Sequence, residues 1–211
     1  MKLYLSSYKI GNNPQALAEL IGENKRIAIV PNALDVYTDM ERRAKNLEAE
    51  KKTLVQIGLA PEELDLRVYF GKPEDLYNKL KEFGAVWVLG GNSFTLRRAY
   101  KESGMDDWLL QNRENKDFVY SGYSAGVCVL SPSLKGIEFT DSPNIVPEGY
   151  KPDIIWEGLG LISFAFAPHF ESDHPESESV NKEVEYYKQG GIEHRTLSDG
   201  EVIIMDTEDS R

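Results

Sequence analysis

Ser124 stands between two glycines in Gly122-Tyr123-Ser124-Ala125-Gly126, where the apolar run Phe118-Val119-Tyr120 gives way to a second apolar stretch. G-x-S-x-G between a strand and a helix fits a nucleophile elbow, a strained turn that lifts the hydroxyl clear of the sheet. The glycines are needed because a side chain at either place would strike a neighbouring strand or helix. The helix that follows aims its free amides at the site, so the Ala125 N–H can hold an oxyanion. A serine hydroxyl also needs a base within hydrogen-bond reach. Of the three histidines, His169 follows Pro168 at a predicted strand end and is the candidate, while His174 lies in the acidic stretch ESDHPE and His194 precedes a terminal strand. An imidazole base in turn needs a carboxylate to hold its tautomer. Asp141 in FTDSP and Asp199 in LSDG both qualify, and spacing does not choose, because the chain order of such triads differs between folds.

Gly90-Gly91-Asn92 closes a further apolar run, Ala85–Leu89. The Gly91 amide offers the second half of an oxyanion hole. Asn92 is a candidate substrate contact, and it or Ser93 also suits the cap of the next helix. No metal is expected: His169 and His174, with Glu171 and Asp173, have an i, i+5 spacing that fits neither H-E-x-x-H nor a zinc-finger pattern. Nor does any motif require a cofactor. Cys128, the one cysteine, rules out an internal disulfide and reads as a core residue beyond Ser124.

These residues must be positioned by a frame, and the chain alternates strand-like with helix-like stretches. Strands are expected at Lys2–Tyr8, Arg26–Asn32, Leu64–Phe70, Ala85–Leu89, Phe118–Ser121 and Leu159–Ala167, with two short ones near the end. Helices are expected at Pro14–Ile21, from Pro73, at Ser93–Lys101, Asp106–Arg113 and Ser124–Leu130, and around Val180, Val184 and Tyr187. One more is opened by a capping box at Thr38-Asp39-Met40-Glu41. This order implies an α/β fold: a doubly wound, mostly parallel sheet with helices on both faces. In such sheets function gathers at the carboxyl ends of the strands, where Gly91, Ser124 and His169 all fall.

With 211 residues, 41% of them hydrophobic, the chain is expected to form a single domain, residues 1–211, with 206–211 as a frayed tail. A net charge of −11 opposes phosphate backbones and anionic lipid, so nucleic-acid and membrane partners are not expected. The first residues hold no signal-peptide core, and a cytoplasmic location is expected.

The set Val88–Phe94 (VLGGNSF), Gly122–Gly126 (GYSAG), Thr140–Pro143 (TDSP), Ala167–Phe170 (APHF) and Leu197–Gly200 (LSDG) resembles peptidase family S51, the peptidase E serine peptidases. The resemblance covers nearly the whole chain. It implies the class I glutamine-amidotransferase-like, flavodoxin-like fold, Ser124 as nucleophile and His169 as base. It also implies Asp141 or Asp199 as the carboxylate, with Gly91 and Ala125 as oxyanion amides. The implied substrate is a small peptide, typically a dipeptide with N-terminal aspartate. Leu89 stands where a third glycine is common, Tyr123 where Trp is often seen, and Asp199 where Glu is usual. Aspartate recognition would need a cation near Ser124, with Arg97, Arg98, Lys135 and Arg195 as candidates. Two alternatives also accommodate the pattern: an α/β-hydrolase-type esterase, and a binding module that kept the fold without the chemistry.

Overall fold

The computed structural model describes residues 1–37 and 39–209; for Met40 and Arg42 it describes the backbone alone. Six strands form one sheet: β1 (Lys2–Ser6), β2 (Arg26–Val30), β3 (Ala60–Glu63), β4 (Ala85–Val88), β5 (Val119–Tyr123) and β8 (Val202–Asp206), in the order β3-β2-β4-β5-β1-β8. All neighbours are parallel except β8, which runs antiparallel to β1. A separate parallel pair joins β6 (Ala165–Ala167) to β7 (His194–Thr196).

Period-2 alternation fills both faces of the sheet. Leu3, Leu5, Ala28, Val30, Val86 and Val88 point into one apolar cluster, with α3 (Pro73–Leu80), α4 (Ser93–Ser103), α5 (Met105–Gln111) and the short α6 (Ala125–Cys128). Tyr4, Ile27, Ile29, Ala85 and Trp87 point into the other, with α1 (Pro14–Leu20) and α2 (Met40–Gln56). The last helix, α7 (Ser177–Gln189), packs Val180, Val184 and Tyr187 on β6. The doubly wound architecture is therefore the one expected.

Three local expectations fail. Leu64–Phe70 is not a strand: β3 lies just before it, and Leu66–Tyr69 turns into a 3₁₀ helix. Asp65 causes the switch, its side chain capping that turn through the Arg67 N–H at 3.0 Å. Leu159–Ala167 is strand only over its last three residues. The backbone of Leu159 and Leu161 instead bonds to the carbonyls of Val129 and Leu130, which follow α6. The frayed tail is also corrected, because Asp206 still pairs with Lys2 in the sheet. Beyond it Thr207 is buried, with Oγ1 donating to the Arg113 carbonyl at 2.6 Å. The Thr38 capping box, and Ser210 and Arg211, lie outside the described residues.

Candidate active site

Beyond the carboxyl ends of β1, β4 and β5 lies a cleft of about 370 Å³ whose walls include Gly90, Gly91, Ser124 and His169. Ser124 occupies the turn between β5 and α6 with φ 48° and ψ −119°, a left-handed conformation that a non-glycine residue adopts only at a cost. Gly122 and Gly126 permit it. A Cβ on either would lie 2.8 Å or 2.5 Å from the Val88 carbonyl oxygen of β4, so the elbow can press against its neighbouring strand only without side chains. Ser124 is 9% exposed, and its N–H donates to the Ser6 carbonyl at the end of β1.

His169 and Asp199 are brought together by the second sheet. In β6–β7 the Cα of Ala167 is paired with that of Thr196, so the residues just past both strand ends emerge side by side. His169 Nδ1 lies 2.7 Å from Asp199 Oδ1. Asp199, though a methylene shorter than Glu, reaches the ring in full. Its backbone N–H donates to Ser172 Oγ at 2.8 Å. Ser7, just past β1, adds a second clamp: its Oγ accepts the His169 N–H at 2.8 Å and sits 3.1 Å from Asp199 Oδ1. Burial lowers the His169 pKa below its ordinary value, the hydrogen bond to Asp199 opposes this, and His174 lowers it further.

Asp141, the other carboxylate candidate, is placed elsewhere. Its Oδ2 accepts the Ser93 N–H at the start of α4, at 2.7 Å. Burial pushes its pKa up to about 6, against that hydrogen bond. With Glu176, Glu183, Ser93, Cys128 and Ser124 it encloses a small niche of about 10 Å³. Burial, reinforced by neighbouring carboxylates, raises Glu176 to about 7 and Glu183 to about 8. This side of Ser124 is a cluster of acids whose pKa values burial raises toward neutrality. Cys128 is buried against the Phe166 carbonyl, and burial pushes its thiol up.

Gly91 has φ 142° and abuts the Ala33 carbonyl so closely that a Cβ would lie 2.4 Å from the oxygen. Ala125 opens α6. Asn92, by contrast, turns into the fold: its Oδ1 accepts the Thr95 N–H at 2.9 Å and its Nδ2 donates to the Ser142 carbonyl at 3.1 Å. It caps α4, and it is not among the residues lining the cleft.

The four cations suggested by sequence lie away from the cleft. Arg97 pairs with Asp106 at 3.1 Å, and Arg98 ties down the carbonyls of Pro143, Ile145 and Asp153. Arg195 covers the Phe164 ring, and Lys135 also lies outside the cleft walls. Two cations missed in the sequence take their place, Lys9 after β1 and Arg43 on α2. Arg43 is held by Asp35 and Glu63, yet its buried Nη2 has no hydrogen-bond partner among the described residues. Both lie in stretches whose apolar spacing is the dominant signal; the strand-end rule applied to β1 would have pointed to Ser7 and Lys9.

Linear spacing also misleads for the segment after His169. His169 and Glu171 have φ of 59° and 50°, and the turn they make stacks His174 on His169 with ring centroids 3.7 Å apart. Glu176, not Glu171 or Asp173, is the acid that joins them.

A parallel sheet that gathers a serine, an imidazole and a carboxylate beyond its strand ends is the frame of a serine hydrolase. The profile described as Peptidase family S51 matches residues 6–211. The chain belongs to that family, and it is a peptidase. It is 29% identical over 165 residues to an uncharacterized peptidase of Listeria monocytogenes, covering 78% of this chain and 75% of that one. It is 30% identical over 161 residues to a Drosophila melanogaster protein named probable alpha-aspartyl dipeptidase, covering 75% of this chain and 57% of the relative. A crystal structure of a Listeria monocytogenes protein named for peptidase E superposes with a TM-score of 0.73 at 26% identity, covering 97% of this chain and 98% of that one. Membership in a peptidase family displaces the esterase alternative. Among the described residues no helix is long and apolar enough to cross a membrane.

Proposed function

We propose that the chain is a serine dipeptidase acting through Ser124, His169 and Asp199, with a preference for N-terminal aspartate. Ser124 Oγ attacks the scissile carbonyl while His169 Nε2 takes its proton and then passes it to the leaving amine. Asp199 holds the ring by Nδ1 and stabilises the imidazolium. The amides of Gly91 and Ala125 receive the oxyanion, and water releases the acyl-enzyme. The observation that carries this reading is the 2.7 Å contact between Asp199 and Nδ1, which directs Nε2 into the cleft shared with Ser124. Asp141, bonded to Ser93, is left to the acid niche.

Two features support the specificity. The niche bounded by Ser124, Asp141, Glu176 and Glu183 has room for about one water-sized group, which suits an α-ammonium. Across the cleft, the Nη2 of Arg43, without a hydrogen-bond partner among the described residues, suits an aspartyl carboxylate together with Lys9. The Drosophila relative's name agrees with such a substrate.

The test has two parts. A fluorophosphonate should modify Ser124, mapped by mass spectrometry, and fail to do so in His169→Ala; labelling elsewhere, or none, overturns the nucleophile. Asp-Leu should be hydrolysed faster than Ala-Leu, and Arg43→Met should narrow that gap by about tenfold, the worth of one charge-assisted contact. Equal rates in the native chain would remove the aspartate preference and leave the chemistry intact.

A further inference from the structure

Three donors of metal-binding type converge beside Ser124: His169, Glu176 from the wall of the niche, and His174, for which neither peptide hydrolysis nor the niche has a use. One ligand atom each from His169, His174 and Glu176 lies within 4.8 Å of the others. Glu176 Oε2 is 3.9 Å from His169 Nε2 and 3.9 Å from His174 Nδ1. The donors of a tetrahedral zinc ion, bound at about 2.0–2.1 Å, are about 3.4 Å apart. Closing the triangle takes a side-chain rearrangement: the rings stack 3.7 Å apart with planes 7° from parallel, so both must tilt until their lone pairs meet at one point, and the Glu176 N–H gives up its 3.3 Å bond to His174 Nδ1.

The outer contacts are those of a metal ligand. His169 Nδ1 is engaged by Asp199, which leaves Nε2 as the lone-pair nitrogen, the carboxylate–histidine–metal arrangement that orients and strengthens imidazole ligands. The chain as a whole is anionic, with a formal charge of −11, which favours a cation over an anion at this mouth of the fold. Two imidazoles and one carboxylate select zinc-like transition ions over magnesium or calcium. All three residues line the cleft shared with Ser124, which gives an ion a path from solvent.

We propose that His169, His174 and Glu176 form a reversible inhibitory site for Zn²⁺, in which the ion takes the Nε2 lone pair that the proton transfer uses. Occupation is a ligand exchange: the nitrogen lone pair fills a zinc coordination position that water vacates, and no bond of the protein is broken. The inhibition rests on His169 acting as base; the binding does not.

Equilibrium dialysis of the full chain against ZnCl₂, with the bound metal quantified, tests the site directly. One equivalent is expected, and His174→Ala and Glu176→Gln should each weaken affinity by about 10-fold or more, as loss of a ligand does. Fluorophosphonate labelling of Ser124 should slow as Zn²⁺ is added and recover with a chelator in the native chain, and slowing it in His174→Ala should take at least about tenfold more Zn²⁺. Binding well below one equivalent, or both variants binding as the native chain does while keeping its circular dichroism, overturns the proposal. If Ser124 resists labelling even without metal, the catalytic reading is what fails, and the dialysis still decides the site.

Discussion

At the scale of single residues the site turns on which carboxylate serves His169. Asp199 touches the ring and Asp141 touches a backbone amide, so their isosteric variants should separate. Asp199→Asn should lower kcat by about 10³-fold, because the amide stabilises the wrong tautomer and no imidazolium. Asp141→Asn should cost less than about tenfold in kcat and act mainly on KM, since it removes one acid of a cluster. Steady-state kinetics on one dipeptide decides, and a reversal of the two effects would move the triad to Asp141. The pH profile carries a second expectation. Burial lowers the His169 pKa, and the base is active when neutral, so the acid limb of kcat/KM should have its midpoint below pH 6.5, the ordinary value. Asp199 raises that pKa, so in Asp199→Asn the residual activity should show a limb displaced further down. A midpoint above 6.5 in the native chain would contradict this assignment.

At the scale of elements, two registers build the site. The β4–β5 pairing sets Val88 against Gly122, which brings the elbow so close to β4 that only hydrogen fits. Gly126→Ala places a Cβ 2.5 Å from the Val88 carbonyl and should destabilise by about 1–3 kcal/mol, the usual cost of overpacking. Gly22→Ala, where nothing lies within 4 Å, serves as the neutral control in urea unfolding. The β6–β7 pairing does for His169 and Asp199 what β4–β5 does for Ser124. A pair of three-residue strands is short for so much responsibility, and α7 is what covers it: Val180, Val184 and Tyr187 are buried against Ala165 and Ala167.

At the scale of the molecule, the acid niche joins the site to stability. Glu183 on α7 is 2% exposed, and burial raises its pKa from 4.5 to about 8, with Asp141 and Glu176 adding to the rise. The folded state thus holds a proton that the unfolded chain releases near pH 4.5. Stability contributed in this way is complete below pH 4.5 and is lost as pH rises through about 8. Glu183→Gln should remove much of that dependence and make the protein more stable than the native chain at pH 9. Chemical denaturation at pH 5 and pH 9 measures it. Equal slopes in the two proteins would mean that Glu183 is ionised in the fold at neutral pH.

Patterns that repeat along the chain are legible in the residues alone. Period-2 apolar runs mark β1, β2, β4 and β5, and glycine spacing marks the elbow, because both are local: a strand's alternation and a turn's steric demand are written within a few residues. His169 is legible for the same reason, as a polar residue at the end of an apolar run. What linear spacing leaves open is every pairing across the chain. Asp141 and Asp199 are equal in sequence, and only the β6–β7 register puts one of them on Nδ1. Arg97 and Arg98 look available until α4 packs them onto Asp106 and the 143–153 backbone, while Arg43 reaches the cleft from a helix distant in sequence. The Leu64–Phe70 alternation is real but loses to the Asp65 cap. Residue types and local periodicity thus determined the fold class and placed Ser124 and His169 at strand ends. Tertiary packing decided the histidine's partner, the cations that face the cleft and the acids whose protons burial retains, because contact and desolvation depend on neighbours that sequence separation does not encode.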